Sequence, residues 1–349
     1  MRGVAALLVV FHHYNGTAIS NGFSIAGLER SVIGNIGVDI FFVISGFIME
    51  FTAGGRTYVQ GDARNFLLRR GARIFPLYWA LTIVAFGAAL VLGSAINSKI
   101  TPEEFLLSML LLPTTGANGK ALYVIAMAWS LTYESYFYAL FASLLRFKIE
   151  TRLTVLAGIF AVSTTIGFAT QPQAPVAQLL VEPMLFEFLA GCLLAHGFRR
   201  GWSLGNVAGW MLLALSIGLM LLEFDYFPLP DKTRVVFWGI PAAMMVYGVV
   251  LSVGKSFGGF MTPLVYLGDI SYSLYLSHFF TLAAFVRIYE KWTAAMPVPN
   301  WLAAVVLLAL CLLVSHICYK LIESPSRRML SRFTRSSCTT RPVLAGQTS

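Results

Sequence analysis

Charged side chains are scarce in this chain. Lysine, arginine, aspartate and glutamate make up 12% of its 349 residues, whereas soluble globular proteins carry about 25%. Hydrophobic residues make up 57%, and the mean hydropathy is +0.74. Such a composition excludes a sizeable soluble domain. It predicts an all-α, polytopic membrane protein, because a helix satisfies its own backbone hydrogen bonds in lipid.

Cysteine is also scarce, and its placement excludes two classes of site. The chain has four cysteines, Cys192, Cys311, Cys318 and Cys338. Their spacing matches neither a zinc site nor a redox motif, and most of them fall in apolar runs. We therefore expect plain thiols, no disulfide framework and no metal cofactor.

Long apolar runs, in contrast, are abundant and predict about ten transmembrane helices. The expected spans are 3–20, 32–53, 74–94, 122–145, 152–170, 176–197, 203–222, 234–254, 263–286 and 300–322. The first run lacks a small-residue cleavage site, so we expect it to be retained and not removed as a signal peptide.

The net charge of +9 comes from 25 basic against 16 acidic residues. Basic residues are frequent in every second loop and in the tail, which places both termini in the cytoplasm by the positive-inside rule. These loops hold Arg56, Arg64, Arg69, Arg70 and Arg73, then Arg146, Lys148 and Arg152, then Arg199 and Arg200, then Lys255. The charge is thus explained by topology and does not indicate nucleic-acid binding. A membrane domain over 1–330 and a basic, disordered cytoplasmic tail over 331–349 are expected.

A cation and two imidazoles interrupt the first apolar run. Arg2 and His13 are separated by about three helical turns, or roughly 16 Å of rise, and therefore project from nearly the same face. In a bilayer about 30 Å thick His13 lies close to the midplane. An ionisable side chain at that depth is a functional candidate. The plainer alternative is a histidine buried against neighbouring helices and hydrogen-bonded there.

Two carboxylates are predicted at a similar depth, Asp39 in the second span and Glu134 in the fourth. A carboxylate beside an imidazole can fix its tautomer and raise its basicity, which makes Asp39 a candidate orienting group for His13. Asp39 could instead pair with a backbone N–H or with a cation at the outer mouth. Titratable groups at one depth on separate helices indicate a shared polar cavity. A serine nucleophile, Ser45 or Ser130, is less favoured because serines often pack between membrane helices.

Arginines precede the third span. Arg70 and Arg73 share one helix face at the cytoplasmic surface, and guanidinium groups bind phosphates bidentately. With Arg2 they suit a multiply phosphorylated ligand such as coenzyme A. Topology and anionic lipids also favour arginine at this position, which is the plainer alternative.

Taken together, these stretches resemble the acyltransferase-3 family of bacterial membrane O-acyltransferases. The matching features are the spacing of Arg2 and His13, GVDIFFVISGF at 37–47, the pair Arg70 and Arg73, WSLTYE at 129–134, ISYSLYLSH at 270–278 and ESP at 323–325. Each is weak alone, but their order is specific and covers the chain to about residue 330. Within the family, the chain is most similar to the short members that acetylate secreted polysaccharide.

The resemblance implies transfer of an acyl group, usually acetyl, from cytoplasmic acyl-CoA to a sugar hydroxyl of a cell-surface or secreted polysaccharide. His13 matches the essential histidine and would act as general base, with Glu134 and Asp39 as further catalytic candidates. The matching basic positions would bind the phosphates of the donor; they are Arg2, Arg70 and Arg73.

Other motif residues are expected to line the substrate site. They are Trp129, Ser130, Tyr272 and His278. The resemblance also implies a multi-pass protein of the bacterial inner membrane. Its expected partners are acyl-CoA, a glycan or lipid-linked oligosaccharide, the lipid bilayer and polysaccharide biosynthesis machinery.

A carrier is the alternative function. A proton-coupled transporter or flippase of a lipid-linked sugar could use His13, Asp39 and Glu134 as a proton relay. The cytoplasmic arginine pair discriminates between the two, because an enzyme that uses CoA needs it and a proton-coupled carrier does not.

Overall fold

The computed structural model describes residues 1–25, 33–54, 62–96, 100–116, 121–222, 233–253, 262–293 and 298–335. The described chain is helical apart from turns, connections and a two-stranded antiparallel ladder of Thr114–Thr115 with Ala121–Leu122. Its α-helices are α1 (Arg2–Ser20), α2 (Ile36–Ala53), α3 (Asp62–Ile96), α4 (Pro102–Met109), α5 (Ala128–Leu144), α6 (Ile149–Thr170), α7 (Pro175–Val181), α8 (Leu185–Arg199), α9 (Gly205–Leu222), α10 (Ile240–Tyr247), α11 (Thr262–Asp269), α12 (Ser271–Thr293), α13 (Asn300–Cys318) and α14 (Ser324–Arg335). A 3₁₀ turn precedes α2, and π-helical segments adjoin α10 and α13; they cover Ile33–Asn35, Val235–Gly239, Gly248–Val253 and Tyr319–Glu323. The all-α class is confirmed.

The described helices include segments with the membrane-spanning character that the composition predicts. In the described ranges, 5 helical segments are long and apolar enough to cross a bilayer: Ile36–Ala53, Asp62–Val91, Ile149–Thr170, Pro175–Arg199 and Asn300–Leu330. Shorter apolar helices cover Gly205–Leu221 and Val235–Val250. Helical segments lie at every predicted span. That about ten of them cross the membrane, with both termini cytoplasmic, stays a prediction.

Some helix boundaries differ from those predicted. The apolar pattern predicts a fourth span from residue 122, but Ala121 and Leu122 pair in the small ladder, 123–127 form a connection with turns, and α5 begins at Ala128. The sixth span is divided between α7 and α8, where Pro183 cannot donate a backbone hydrogen bond. The ninth is divided between α11 and α12 at Ile270.

Helix α3 is longer than its predicted span and extends beyond the apolar stretch. It has 35 residues and begins at Asp62, so the arginine-rich segment forms its first turns. Pro76 lies inside the helix. The Tyr272 hydroxyl on α12 donates to the Ile74 carbonyl at 2.6 Å, which ties the two helices together near this proline.

Glycines in the 37–47 motif permit close helix crossings. A Cβ on Gly37 would lie 2.4 Å from the Ala5 carbonyl oxygen of α1, and a Cβ on Gly46 would lie 1.9 Å from the Phe188 carbonyl oxygen of α8. Only glycine allows backbones to approach so closely. The motif thus sets α2 between α1, which carries His13, and α8.

A buried ion pair connects α2 to α6. Arg152 donates to Glu50 from Nη2 at 2.7 Å and from Nε at 2.9 Å, and both side chains are almost fully buried. Arg152 also donates to the Phe147 carbonyl at 3.3 Å. The charge pattern predicts Arg152 as a cation of an inner loop, but it lies in the first turn of α6, where it faces α2.

The last described helix runs past the predicted domain boundary at residue 330 to Arg335. The remainder of the predicted tail, 336–349, lies outside the described residues, as do the loop cations Arg56 and Lys255.

Candidate active site

His13 is held by its own helix. Its Nδ1 lies 2.9 Å from the Val9 carbonyl oxygen. A carbonyl oxygen only accepts, so this contact places a proton on Nδ1 and, in the neutral ring, leaves the lone pair on Nε2. The half-buried His13 therefore has the tautomer in which Nε2 can accept a proton from a substrate.

A second imidazole faces the first. His278 on α12 is fully buried, and its Nδ1 donates to the Leu274 carbonyl at 3.0 Å. Its Nε2 is buried and has no hydrogen-bond partner in the described ranges. The ring centres of His13 and His278 lie 5.0 Å apart, with an angle of 57° between the ring planes. The two rings, anchored in the same way on different helices, form the histidine pair.

Asp39 pairs with Arg234 and not with His13, the partner expected for it. Arg234 donates to Asp39 Oδ2 at 2.7 Å and to Oδ1 at 3.1 Å, and it also donates to the Asn35 carbonyl at 3.0 Å. The tautomer of His13 is set by Val9 instead. Asp39 therefore does not form the expected pair with His13. It pairs with a cation, which was the alternative.

Glu134 lies beside a small internal cavity of about 30 Å³. Its Oε1 accepts from the Ser45 hydroxyl at 2.8 Å and from the Tyr138 hydroxyl. Arg2 borders the same cavity, and its guanidinium carbon lies 5.7 Å from the Phe41 ring centre. The Nε atom of Arg2 is buried and has no hydrogen-bond partner among the described residues. The cavity has room for about one or two water molecules.

The expected shared cavity is formed only in part. Arg2, Glu134, Ser130 and Tyr272 all line it, whereas His13 and Asp39 do not. Tyr275, which sequence reasoning did not select, lies between the two groups. Its hydroxyl is 2.7 Å from Ser130 Oγ, and its ring centre is 6.3 Å from that of His278. A continuous series of contacts thus leads from the cavity to the histidine pair.

A larger cleft of about 470 Å³ lies between α3 and α14 and is bordered by five arginines. We call it the arginine cleft; these residues are Arg69, Arg70, Arg73, Arg327 and Arg328. Arg70 and Arg73 meet there as expected, but Arg2 lies in the internal cavity instead. The two arginines of α14 are not among the predicted site residues; in the sequence, only their position just after ESP at 323–325 marks them.

The arginine cleft is connected to the internal cavity. The guanidinium carbon of Arg70 lies 5.7 Å from the Tyr138 ring centre, and the Tyr138 hydroxyl donates to Glu134. Beside the cleft, Glu323 accepts from the Ser273 hydroxyl at 2.7 Å and lies 3.7 Å from Arg327. The ESP motif thereby links α12 to the cleft.

Trp129 lies apart from these groups. It borders an open cleft of about 750 Å³ together with residues of α6, α7 and the connection between them. We call this the distal cleft; its polar and aromatic lining includes Trp129, Tyr133, Thr164, Gln171, Gln173, Gln178, Glu182 and Arg234.

Comparison with known proteins gives the family. The acyltransferase-3 family model, described as an acyltransferase domain, matches residues 1–320. The exopolysaccharide production protein ExoZ of Rhizobium meliloti is 31% identical over 257 residues, which cover 73% of this chain and 78% of ExoZ. Acyltransferase MdmB of Streptomyces mycarofaciens is 26% identical over 343 residues, covering 87% of this chain and 84% of MdmB.

A third relative is longer than this chain. O-acetyltransferase OatA of Staphylococcus aureus is 25% identical over 358 aligned residues, covering 94% of this chain but 56% of OatA. No solved structure matches significantly. The family match extends over nearly all the described helices and includes the residues of the histidine pair, the internal cavity and α3. The chain therefore belongs to the acyltransferase-3 family and is a membrane acyltransferase.

Proposed function

We propose that the protein transfers an acetyl group from acyl-CoA to a sugar hydroxyl of a cell-surface or secreted glycan, with His13 as general base. One observation carries this proposal: the arginine cleft leads through Tyr138 and Glu134 to the internal cavity, and Tyr275, which lines the same cavity, lies next to the histidine pair. The names of two relatives support it, since ExoZ acts in exopolysaccharide production and OatA is an O-acetyltransferase.

The arginine cleft suits the phosphates of the donor. Guanidinium groups form charge-assisted, bidentate hydrogen bonds with phosphate, and no acidic side chain is among the described residues that line this cleft. Coenzyme A carries its phosphates at one end of a long arm and the thioester at the other. The rise of α1 from Arg2 to His13, roughly 16 Å, gives the arm a path along this helix.

The donor has to widen the internal cavity. A volume of about 30 Å³ holds water but not the arm of coenzyme A. Arg2 and Glu134 border this constriction, and Arg2 offers a buried Nε that no group of the described residues binds. We assign to both residues the positioning of the arm and to Arg70 and Arg73 the binding of phosphate.

The reaction follows from the tautomer of His13. As the acceptor hydroxyl attacks the thioester carbonyl, its proton passes to His13 Nε2 and a new C–O bond forms. The C–S bond then breaks, and the departing sulfur takes the proton from the imidazolium. Base catalysis of this kind contributes about 10²–10⁴-fold to the rate.

The topology follows from the charges. We propose that about ten helical segments cross the bacterial inner membrane, with the arginine cleft on the cytoplasmic side, where acyl-CoA is made. The distal cleft then opens outside. The carrier alternative is disfavoured by the family match and because Asp39, one member of the supposed proton relay, pairs with Arg234.

Radiolabelled acetyl-CoA tests the proposal. The purified protein should consume the thioester, and His13→Ala and Arg73→Ala should both reduce consumption strongly. The matched controls are His316→Ala and Arg64→Ala, since both residues are exposed and lie outside the cavities described. If the wild type never consumes acetyl-CoA, and binds it no better than Arg73→Ala does, the acyl-CoA proposal is overturned.

A further inference from the structure

The distal cleft lies toward the opposite end of the bundle from the arginine cleft. Trp129, at the start of α5, borders the distal cleft, whereas Tyr138, further along the same helix, contacts Arg70. These positions are about 14 Å apart along the helix axis. The distal cleft is therefore separate from the site assigned to the donor.

Its lining combines aromatic faces with amides. The rings of Trp129 and Tyr133 meet edge to face, with centres 5.9 Å apart. Gln178 Nε2 donates to the Gln173 carbonyl at 3.4 Å, and Gln173 Nε2 donates to the Gln171 carbonyl at 3.0 Å, which orders the segment after α6. Sugar rings present both apolar C–H faces and hydroxyl groups, and such a mixed lining is complementary to both.

One polar group of the lining has no partner among the described residues. The Thr164 hydroxyl on α6 is buried without a hydrogen bond to any of them and belongs to the wall of the distal cleft. A buried hydroxyl without a partner costs free energy. A ligand hydroxyl in the cleft would remove that cost.

The charge of the distal cleft differs from that of the arginine cleft. Among its described lining residues, Arg234 and Glu182 are the charged ones. The charge of Arg234 is already matched by its bidentate pair with Asp39. The described part of the lining therefore holds no excess of positive charge with which to bind a carboxylate or a phosphate.

Two walls of the distal cleft are connected to the histidine pair. Arg234 donates to the Asn35 carbonyl at 3.0 Å. The preceding Gly34 lies against His12, the neighbour of His13, since a Cβ on Gly34 would be 2.4 Å from the His12 Cβ. On the other side, Trp129 precedes Ser130, which contacts Tyr275 next to the histidine pair. The distal cleft thus has contacts that lead toward the base from two of its walls.

We propose that the distal cleft is the acceptor site and that it selects an uncharged sugar over one that carries a carboxylate or a phosphate. The inference rests on the proposed function, because it names the substrate class of that reaction. Its volume of about 750 Å³ lies within the usual range of small-molecule sites, about 300–1,000 Å³, and suits a short stretch of glycan.

The test compares a neutral with an acidic oligosaccharide of equal length on the purified full-length protein. The probes are laminaritetraose and tetragalacturonate, and their binding is measured by saturation-transfer NMR without acetyl-CoA. Thioester consumption is measured separately without sugar. The variants are Thr164→Val and Trp129→Ala. Thr165→Val is the matched control, because the Thr165 hydroxyl is exposed and donates to the Ala161 carbonyl at 2.8 Å, outside the cleft.

Laminaritetraose should bind saturably. Tetragalacturonate should bind at least about tenfold more weakly, because the cleft does not compensate the charge of its carboxylates. Thr164→Val and Trp129→Ala should each weaken laminaritetraose binding by roughly tenfold, as the loss of one hydrogen bond or one aromatic face does. Thr165→Val should change neither laminaritetraose binding nor thioester consumption without sugar.

Other outcomes separate the two proposals. No saturable binding of laminaritetraose, equal binding of tetragalacturonate, or binding unaffected by both variants would overturn the acceptor inference. If the sugar binds as expected but acetyl-CoA is never consumed, the proposed acetyl transfer fails, whereas the distal cleft is supported as a neutral-sugar site.

Discussion

The rings of His13 and His278 lie 5.0 Å apart, and each ring donates from Nδ1 to the carbonyl one turn earlier in its own helix. Both Nε2 atoms are consequently left without a bond to their own helix. When His13 accepts a proton, a neutral imidazole next to it can accept a hydrogen bond from the new N–H. We therefore regard His278 as a positioning residue for the base.

Replacing the histidines should separate their roles. His13→Ala should lower kcat at least about 100-fold, because the base is lost. His278→Phe should lower kcat by about tenfold without changing the KM for acetyl-CoA, and His278→Gln, which keeps a polar group, should recover part of the loss. Steady-state kinetics with the purified variants measures both parameters. The control is His316→Ala, and full kcat in His278→Phe would refute the positioning role.

Neutralising the arginine cleft should affect donor binding. Arg73→Ala and Arg327→Ala should each raise the KM for acetyl-CoA about tenfold with little change in kcat, because a charge-assisted contact with phosphate is lost. The KM of the wild type should rise with ionic strength. A comparison of the kinetics with acetyl-CoA and with acetyl-dephospho-CoA, which lacks one phosphate, shows which arginine binds that phosphate. Arg64→Ala on the same helix should behave as the wild type, and an unchanged KM in both cleft variants would contradict this assignment.

Breaking the buried pair of Glu50 and Arg152 should destabilise the protein. Arg152→Gln leaves a buried carboxylate without its cation, and such changes cost about 3–5 kcal/mol. Thermal unfolding in detergent should show a large loss of stability in Arg152→Gln. The loss should be smaller in the double variant that also carries Glu50→Gln. The control is Glu150→Gln, because Glu150 and Arg200 lie 3.5 Å apart with side chains 61% and 57% exposed, where an ion pair contributes about 0–1 kcal/mol. Equal losses in Arg152→Gln and Glu150→Gln would be inconsistent with this account.

Adding one methyl group at the crossing of α2 and α8 should have a similar structural effect. Gly46→Ala would place a Cβ 1.9 Å from the Phe188 carbonyl oxygen, so the helices must separate. We expect a lower unfolding temperature and a smaller folded fraction on size-exclusion chromatography. Gly87→Ala on α3 is the matched control, because its Cβ would meet nothing within 4 Å, and alanine favours helix over glycine by about 1 kcal/mol. An unchanged unfolding temperature in Gly46→Ala would show that this crossing can relax.

Several features of the site are predictable from the amino-acid sequence alone. Long apolar runs predict the helices, because a segment in lipid has to satisfy its backbone hydrogen bonds within the segment itself. Ionisable residues inside such runs stand out for the same reason, and His13 and Glu134 are therefore recognisable as candidates from their positions in the chain. The spacing of the arginines at the start of α3 likewise predicts that they share one helix face.

The partners of these residues could not be predicted. Asp39 pairs with Arg234, His13 faces His278, and α14 completes the arginine cleft, all through contacts between segments far apart in the chain. Such contacts depend on which helices adjoin and how they are rotated, and those in turn depend on glycine crossings, helix breaks and π-helical turns. A periodic pattern specifies the buried face of a helix but not the helix that covers it, so only the tertiary structure decides which polar groups meet.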